Sequence, residues 1–448
     1  MLNYIWIGLV VLAVLIGGVE GRLKEVAEKS FEMADTAVLK TAFSLIGVMA
    51  LWLGIMRVAE RAGLVALLAR LLKPIMRRIF PEVPGDHPAM GSMLMNISAN
   101  MLGLGNAATP LGLRAMKDLE SLNRIPGTAT NAMCTFLAIN TSGIQLLPVT
   151  AIAIFSANKA TNPAAIVGTA IIATACAATG AVLMAKFLAR LPIFRISPAA
   201  NAETQINEVK AQTATEEKAP VKEAATLQPL QWWGMLLLVA YLLFFGWLFL
   251  RFAFPLWFDL PVSETAAKQT MFVRIVSSVS MLSIPLLLSA IPLYAGLRRV
   301  KVYEEFVDGA KEGFDVAIRI IPYLVAMLVA IGMFRAAGGI DMVSKALAPA
   351  MNLVGFPTDL LPMVLMRPLS GSGTLGMFTE LVQHFGPDSL IARMAGTIYG
   401  STETTFYVLA VYFGSVGIKR TRYAVIAGLT ADIIGVIASI IICRIVFA

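Results

Sequence analysis

Long runs of apolar residues, each about as long as a bilayer is thick, dominate the chain. A membrane-spanning helix needs roughly 20 apolar residues. Runs of this length predict about nine full spans, at 2–20, 36–56, 129–157, 163–190, 229–254, 270–297, 316–336, 389–417 and 422–446. The pattern therefore predicts an all-α polytopic membrane protein.

Two further apolar stretches, about 89–113 and 357–379, are interrupted by Gly, Pro, Asn and Ser. If the first of them crossed the membrane, the basic loops on its two sides would lie on opposite faces, against the positive-inside rule. Irregular backbone at membrane depth is tolerated only where it is buried in protein or lines a water-filled cavity. We therefore expect two re-entrant or broken helical hairpins that face one central site.

The same order of elements occurs twice along the chain, at about 43–190 and again at about 316–446. Each copy has a span ending near an Arg, a short amphipathic stretch, an interrupted segment and two long helices. The pattern predicts a first half over 1–195, and a second half over 229–448 with extra spans at 229–297. Between them, 196–228 is rich in Ala, Glu, Lys, Thr and Gln and predicts a disordered cytoplasmic linker.

The distribution of Lys and Arg predicts that the two halves are inserted in opposite orientations. The loop after the 36–56 span is strongly basic, whereas the matching stretch 335–356 carries only Arg335 and Lys345 against one acid. The bias reverses at the last turn of each half, where the first half has Lys159 alone and the second has three bases at 419–422. We therefore expect the N-terminus and linker to be cytoplasmic and the C-terminus periplasmic.

Composition strengthens the assignment to a bacterial inner membrane. Apolar residues make up 58% of the 448 residues, charged residues 14%, and the mean hydropathy is +0.76. The net charge of +8 lies in loops beside spans, so it predicts topology and not nucleic-acid binding. The three cysteines are scattered singly through apolar segments and only two histidines are present, so no metal site and no cofactor is expected.

The first hairpin carries polar residues where its helix breaks. Breaking a helix at membrane depth exposes N–H groups at one new end and carbonyls at the other, and these attract anions and cations respectively. The alternative is that Asn, Ser and Thr hydrogen-bond across helices and hold the bundle together. The candidate solute-binding residues of this half, including the polar patch of its following helix, are Asn96, Asn100, Asn106, Thr109, Asn140, Thr141 and Ser142.

The second hairpin contains Arg367, and an Arg in mid-membrane costs about 2.5 kcal/mol or more without a partner. Arg367 can bind a solute carboxylate or phosphate through two parallel N–H donors, or it can pair with Glu403. Both are possible if the ion pair opens when a solute arrives. Asp432 and Glu403 are candidates for a coupling ion, as proton carrier or sodium ligand, with a hydrogen-bonded structural acid as the alternative for Asp432. The candidate solute-binding residues of this half are Arg367, Ser370, Ser372, Thr374, Ser401, Thr402, Glu403 and Thr405.

These motifs resemble a known family. Gly105-Asn106-Ala107-Ala108-Thr109-Pro110-Leu111-Gly112 in the first half, with Arg367-Pro368-Leu369-Ser370-Gly371-Ser372-Gly373 and Tyr399-Gly400-Ser401-Thr402-Glu403-Thr404-Thr405-Phe406 in the second, are similar to fused spore maturation proteins A and B. That family carries the nucleoside-recognition or Gate domain, shared with gate regions of concentrative nucleoside transporters and of the ferrous iron transporter B. The resemblance implies hairpins at a transport gate and supplies no solute.

These observations favour a secondary transporter or facilitator of a small polar or anionic solute, moving with H+ or Na+. The site is expected at the interface of the two inverted repeats. The alternative is a non-transporting membrane scaffold or assembly factor of the spore maturation type. The sequence shows no pair of acids, no metal-ligand set and no activated nucleophile of the kind that enzymes use, so no enzymatic activity is expected. The expected partners are the bilayer, the solute and further copies of this chain, which would form a homo-oligomer through the extra spans.

Overall fold

The computed structural model describes residues 2–103, 105–194, 228–258, 269–343 and 355–447, with residues 345 and 349. Helices account for most of this part of the chain. The predicted linker lies outside it except for residue 228. The helices are α1 Leu2–Val19, α2 Leu23–Asp35, α3 Phe43–Arg61, α4 Leu64–Ile79, α5 Pro88–Met101, α6 Gly105–Glu120, α7 Asn131–Thr141, α8 Val149–Ala157, α9 Val167–Arg190, α10 Trp232–Ala253, α11 Met271–Leu297, α12 Val302–Ala336, α13 Leu361–Met366, α14 Gly371–Phe385, α15 Leu390–Ser401, α16 Thr405–Gly414 and α17 Ala424–Phe447.

The all-α membrane fold is confirmed. Among the described residues, α9, α10, α11, α12 and α17 are each long and apolar enough to cross a bilayer. A π-helical turn at Thr36–Ala42 joins α2 to α3, and together they cover the span predicted at 36–56. The predicted hairpins are also present: α5 packs against α6, with a turn at 102–103 where α5 ends, and α13 packs against α14 across a turn at 367–370.

The structure differs from the prediction at 129–157 and 389–417, which hydropathy marks as continuous spans. Each is two short helices, α7 and α8 in the first half and α15 and α16 in the second. The first break contains Gly143 with a φ of +57°, a left-handed conformation that ends a helix, followed by Pro148. In the second break, Thr402 has an extended backbone. Because apolar residues flank both breaks, the mean hydropathy stays high across them and does not indicate an interruption.

Two pairs of closely packed helices form the frame of the molecule. In the pair of α3 and α12, a Cβ on Gly309 would lie 2.5 Å from the Leu53 carbonyl oxygen, and one on Gly313 would lie 2.6 Å from Ala50 Cα. In the pair of α9 and α17, a Cβ on Gly180 would meet Ile434 at 2.3 Å. Small residues at these contacts let the helix backbones approach closely, which is the usual basis of helix packing in membranes.

The contacts between the halves are reciprocal. Helix α9 of the first half packs against α15 of the second, and α17 of the second packs against α7 of the first. Aromatic contacts also join the two halves: Phe136 of α7 stacks on Tyr412 of α16 at 6.2 Å, and Phe155 of α8 packs edge-on against Phe378 of α14 at 5.6 Å. Contacts of this kind are those that a two-fold relation between repeats produces.

Loops of the two halves meet at two opposite ends of the bundle. At one, which we call the basic end (57–82, 114–130, 298–305 and 417–423), the Ala129 N–H donates to the Arg420 carbonyl at 3.0 Å. At the other end, the Thr161 hydroxyl donates to Asp388 at 2.6 Å, and hydrogen bonds from Thr161 lower the pKa of this carboxyl. The α5–α6 hairpin starts and ends at the basic end, whereas the second hairpin returns to the other end.

The predicted inversion is tested by labelling cysteines from each side of the membrane. With Cys134, Cys176 and Cys443 replaced, Arg77→Cys and Lys345→Cys are introduced singly at two exposed positions. We expect a membrane-impermeant maleimide to label position 77 only from the cytoplasmic side and position 345 only from the periplasmic side. Labelling of both positions from the same side would contradict the inverted arrangement.

Candidate functional site

The two broken helices cross at their breaks, near the middle of the bundle. A Cβ on Gly143 would lie 2.8 Å from both the carbonyl carbon and the oxygen of Thr402. Beside this crossing, the Thr174 hydroxyl of α9 donates to the Gly143 carbonyl at 2.8 Å. The polar patches of the two halves, 140–142 and 401–405, therefore lie close together, and the backbone itself makes the contact.

Each hairpin tip is joined to the break of its own half by an equivalent backbone hydrogen bond. In the first half, the Leu146 N–H donates to the Met101 carbonyl at 3.0 Å. In the second, the Phe406 N–H donates to the Pro368 carbonyl, also at 3.0 Å. Placing 140–160 on 400–420 without a gap makes 146 equivalent to 406. The hydrogen bonds therefore follow the register of the sequence repeat and couple each tip to its break.

The side chains next to these hydrogen bonds also connect each hairpin tip to the broken helix of its half. Asn100, which precedes Met101, donates to the Oδ1 atom of Asn140 at 2.9 Å. Arg367, which precedes Pro368, donates from Nε to the Thr402 hydroxyl at 3.0 Å. Asn100 and Arg367 thus hold equivalent places, and each connects its hairpin to the broken helix of its own half.

Arg367 is buried, with 3% of its surface exposed, and its partners surround it. One terminal nitrogen donates to the carbonyls of Tyr399, at 3.1 Å, and of Thr402. The guanidinium also lies 4.7 Å from the centre of the Tyr399 ring. These contacts satisfy donors that would otherwise make an Arg costly at this depth. Glu403 lies 3.9 Å away, a weak pairing at the limit of an ion pair.

Glu403 is the more accessible member of that pair. Its side chain keeps 35% of its surface exposed, against 4% for Arg367. Close by, α14 begins at Gly371, where a Cβ would lie 3.0 Å from the Thr404 hydroxyl. The free N–H groups of a helix N-terminus favour negative charge. The half-buried Ser372 adds a hydroxyl at this point, so Arg367, Ser372 and the start of α14 give this region a positive character.

Asp432 lies inside α17 and is 5% exposed. The Thr405 hydroxyl donates to its Oδ2 atom at 2.5 Å. Its Oδ1 atom is buried and has no hydrogen-bond partner among the described residues. Buried carboxylate oxygens are rarely left unpaired, and such an atom is a site where a proton or a cation can bind. Within the described residues, no three His, Cys, Asp or Glu side chains cluster to hold a metal ion.

Asn96 lies away from the crossing, between the first hairpin and α16. Its Nδ2 atom donates to the Ala108 carbonyl at 2.8 Å and lies 3.3 Å from the Tyr412 hydroxyl. Its Oδ1 atom and the hydroxyl of Ser98 are buried without a described partner. Asn96 therefore holds the two legs of the hairpin together and connects them to the other half.

Several predicted residues have local partners. Ser370 accepts the Gly373 N–H at 3.0 Å and so caps α14, and the Thr374 hydroxyl donates to the Ser370 carbonyl at 2.7 Å. The Thr141 and Ser142 hydroxyls bond to carbonyls one turn earlier in α7. Ser401 pairs with Ser439 at 2.9 Å, Thr109 is half-buried, and the side chain of Asn106 lies outside the described residues.

Four further residues belong to the site. They are Gly143, Thr174, Tyr399 and Tyr412. Gly143 and Tyr399 lie directly beside the polar patches, so a closer look at the flanks of each patch would have found them. Thr174 and Tyr412 come from long or apolar segments, where no local pattern indicates a polar role.

Comparisons with known proteins match both halves. The family described as nucleoside recognition, Gate, matches residues 42–191 and 317–419. The chain is 49% identical to spore maturation protein B of Bacillus subtilis (strain 168) over 174 residues, 39% of this chain and 98% of that protein. It is 42% identical to spore maturation protein A of the same strain over 187 residues, 42% of this chain and 95% of that protein.

A more distant similarity extends to another bacterial membrane protein. The chain is 31% identical to the inner membrane protein YjiG of Escherichia coli (strain K12) over 84 residues, 18% of this chain and 55% of that protein. No solved structure matches the chain.

The crossing of the breaks is tested by Gly143→Ala. A left-handed conformation costs an L-residue about 1–2 kcal/mol, and the new methyl would also collide with the backbone of Thr402. Gly417→Ala is the matched control, because Gly417 has a φ of +67° and nothing within 4 Å of its Cβ position. We expect Gly143→Ala to lower the Tm of the purified protein well beyond the control. Equal shifts in both variants would contradict the crossing.

The contact between Thr405 and Asp432 is tested by a double-mutant cycle. Thr405→Val removes the donor and leaves a buried carboxylate unpaired, so we expect a loss of about 1–3 kcal/mol in unfolding free energy. Combining it with Asp432→Leu should cost less than the sum of the single changes, since both partners are then apolar. Thr430→Val, at an exposed site on α17, controls for the substitution itself. Additive effects would argue against the hydrogen bond.

Proposed function

Because this chain belongs to the nucleoside-recognition (Gate) family and joins counterparts of spore maturation proteins A and B, we propose that it is a secondary transporter or facilitator of a small polar or anionic solute. The solute site is the region where the breaks at Gly143 and Thr402 cross, between the two hairpin tips. The observation that carries this proposal is the equivalent pair of hydrogen bonds that join each hairpin tip to its break.

Equivalence of the two halves supports alternating access. In transporters built from inverted repeats, one repeat rocks against the other around a fixed central site, which opens to each side in turn. In the two largest hydrophobic clusters, the hairpin of one half packs with a short helix of the other, the first hairpin with α16 and the second with α8. A movement of one half is therefore transmitted to the hairpin of its partner. Non-helical backbone at this depth is unfavourable unless protein buries it or it lines a water-filled cavity.

Charge supports a polar or anionic solute. Arg367, the N–H groups at the start of α14 and the Ser372 hydroxyl lie together, and the adjacent Glu403 is the accessible acid. A solute carboxylate or phosphate entering here would replace the weak 3.9 Å contact between Arg367 and Glu403. Glu403 and Asp432 are the proposed carriers of a coupling H+ or ligands of Na+.

A membrane scaffold of the spore maturation type is the second candidate, and one observation favours it. Arg367 already donates to Thr402 and Tyr399 through contacts that fix the break of α15 and α16. In that case the polar centre holds the fold together and binds no solute. The inner membrane location and the inverted orientation of the halves are proposed on the loop charges and on the grouping of loops at two ends.

Ligand screening by thermal shift separates the candidates. The purified protein is heated with nucleosides, dicarboxylates including pyridine dicarboxylates, phosphates, and sodium against potassium. A ligand at 100 times its Kd stabilises the folded state by about 2.7 kcal/mol. We expect at least one polar or anionic solute to raise the Tm, and Arg367→Ala or Glu403→Gln to abolish this shift.

The controls guard against unfolded variants. Arg367→Ala exposes unpaired carbonyls and can fail to fold, so Glu403→Gln serves as the milder change. A matched control is Arg393→Gln, which removes a partly buried Arg that pairs with Asp388 far from the crossing. The transporter proposal is contradicted if no solute shifts the Tm of the wild-type protein, or if every variant responds as the wild type does.

A further inference from the structure

Helix α4 lies across the basic end of the molecule. It begins directly after α3 ends at Arg61, and the chain that follows it reaches Glu82, which accepts a hydrogen bond from Asn131 at the start of α7 at 2.9 Å. Both points belong to the same end of the bundle. A helix with both of its ends at one end of a bundle runs along that end, so α4 runs parallel to the plane of the membrane.

Three different faces follow one another around α4. The buried face carries Val65, Ala69 and Met76, which pack into the protein. A second face is apolar and exposed, with Leu67, Leu71 and Ile75 at 40%, 63% and 54% exposure. Residues four apart lie on one face of a helix, so these three form a continuous strip. An apolar strip at this level is buried when it enters the boundary between headgroups and acyl chains.

The third face of α4 is basic. Its exposed residues are Arg70, Lys73 and Arg77, spaced by three and four, on the other flank of the buried face. Among the described residues, Arg77 has one ionic contact, to the fully exposed Asp86 at 3.8 Å, and such an exposed pair contributes little to stability in water. A helix with one flank apolar and the other basic is typical of a segment lying in the interface of a membrane that contains anionic lipids.

A cavity of about 280 Å³ lies between the end of α4, the start of α7 and the end of α9. Lys186 and Arg190, one turn apart on α9, line it. On the outer side of the same turns, Leu183 and Phe187 are 63% and 59% exposed. The acid that faces the cavity is Glu82, which accepts from Asn131 at 2.9 Å. Basic residues above an exposed apolar surface match the two parts of a phospholipid.

We propose that α4 and the last turns of α9 form a binding site for anionic phospholipid, with α4 in the membrane interface. The headgroup phosphate lies against Lys186 and Arg190 in the cavity, and its acyl chains lie along Leu183 and Phe187. Arg70, Lys73 and Arg77 bind further anionic headgroups along α4. Each base near an anionic surface strengthens binding about fivefold, so the three bases of α4 together contribute on the order of 100-fold. The proposal stands apart from the transport proposal, since it uses no residue of the central site.

The test uses the purified full-length protein in neutral detergent. Phosphatidylglycerol and phosphatidylcholine with the same acyl chains are titrated separately, and inorganic phosphate is added at the same phosphorus concentration. Bound lipid is counted by native mass spectrometry, and the Tm is followed in parallel. We expect phosphatidylglycerol to bind and to raise the Tm, phosphatidylcholine to do so far less, and inorganic phosphate to have no effect.

Two sets of variants locate the site. The triple change Arg70→Gln, Lys73→Gln, Arg77→Gln should weaken phosphatidylglycerol binding on the order of 100-fold, and the pair Lys186→Gln, Arg190→Gln should remove the most tightly retained lipid. The matched control replaces three exposed bases elsewhere at the basic end, by the changes Arg114→Gln, Arg124→Gln and Arg420→Gln.

Three results would overturn the proposal. They are equal binding of the two lipids, an equal loss in the control triple, and an effect of free phosphate that matches that of phosphatidylglycerol. The Tm of each variant without lipid shows whether it is folded. If the α4 triple is unstable, Lys73→Gln alone is measured, with an expected fivefold weakening; unchanged binding in this variant would also overturn the proposal.

Discussion

The architecture depends on two backbone hydrogen bonds, from Leu146 to the Met101 carbonyl and from Phe406 to the Pro368 carbonyl. A chain that breaks its helices within a membrane must satisfy the freed N–H and carbonyl groups inside the protein. Here each hairpin tip satisfies the break of its own half. Since the breaks also cross at Gly143 and Thr402, the two hairpin tips and the two breaks lie together.

The frame around this centre explains how irregular backbone is held there. The glycines of α3 and α12 and the small residues of α9 and α17 bring long helices close enough to enclose it. Most polar groups near the crossing are paired, but an oxygen of Asp432 is buried without a described partner, as are one oxygen of Asn96 and the hydroxyl of Ser98 in the first hairpin. These unpaired atoms, with the half-exposed Glu403, are the places where a solute or an ion would gain most from binding.

Much of the fold follows from local patterns that could be read in the sequence. Interrupted apolar segments indicated both hairpins, and laying 140–160 on 400–420 without a gap makes Leu146 equivalent to Phe406. The breaks at 142–148 and 402–404 were missed, because apolar flanks dominate the hydropathy of a window. Asn100 and Arg367 were chosen as binding residues, but no local pattern could show that they hold equivalent places and pair with Asn140 and Thr402. Such pairing depends on how the halves pack, and the role of Thr174 depends on it in the same way.

The claim that the centre opens to both sides is tested most directly by reactivity at Ser372, which lies half-buried at the start of α14. Ser372→Cys, in a protein without its three native cysteines, is exposed to a small membrane-impermeant thiol reagent added from one side of the membrane or the other. Alternating access predicts reaction from both sides, with different rates when the sodium or proton gradient is reversed. Reaction from only one side under every condition would contradict the account.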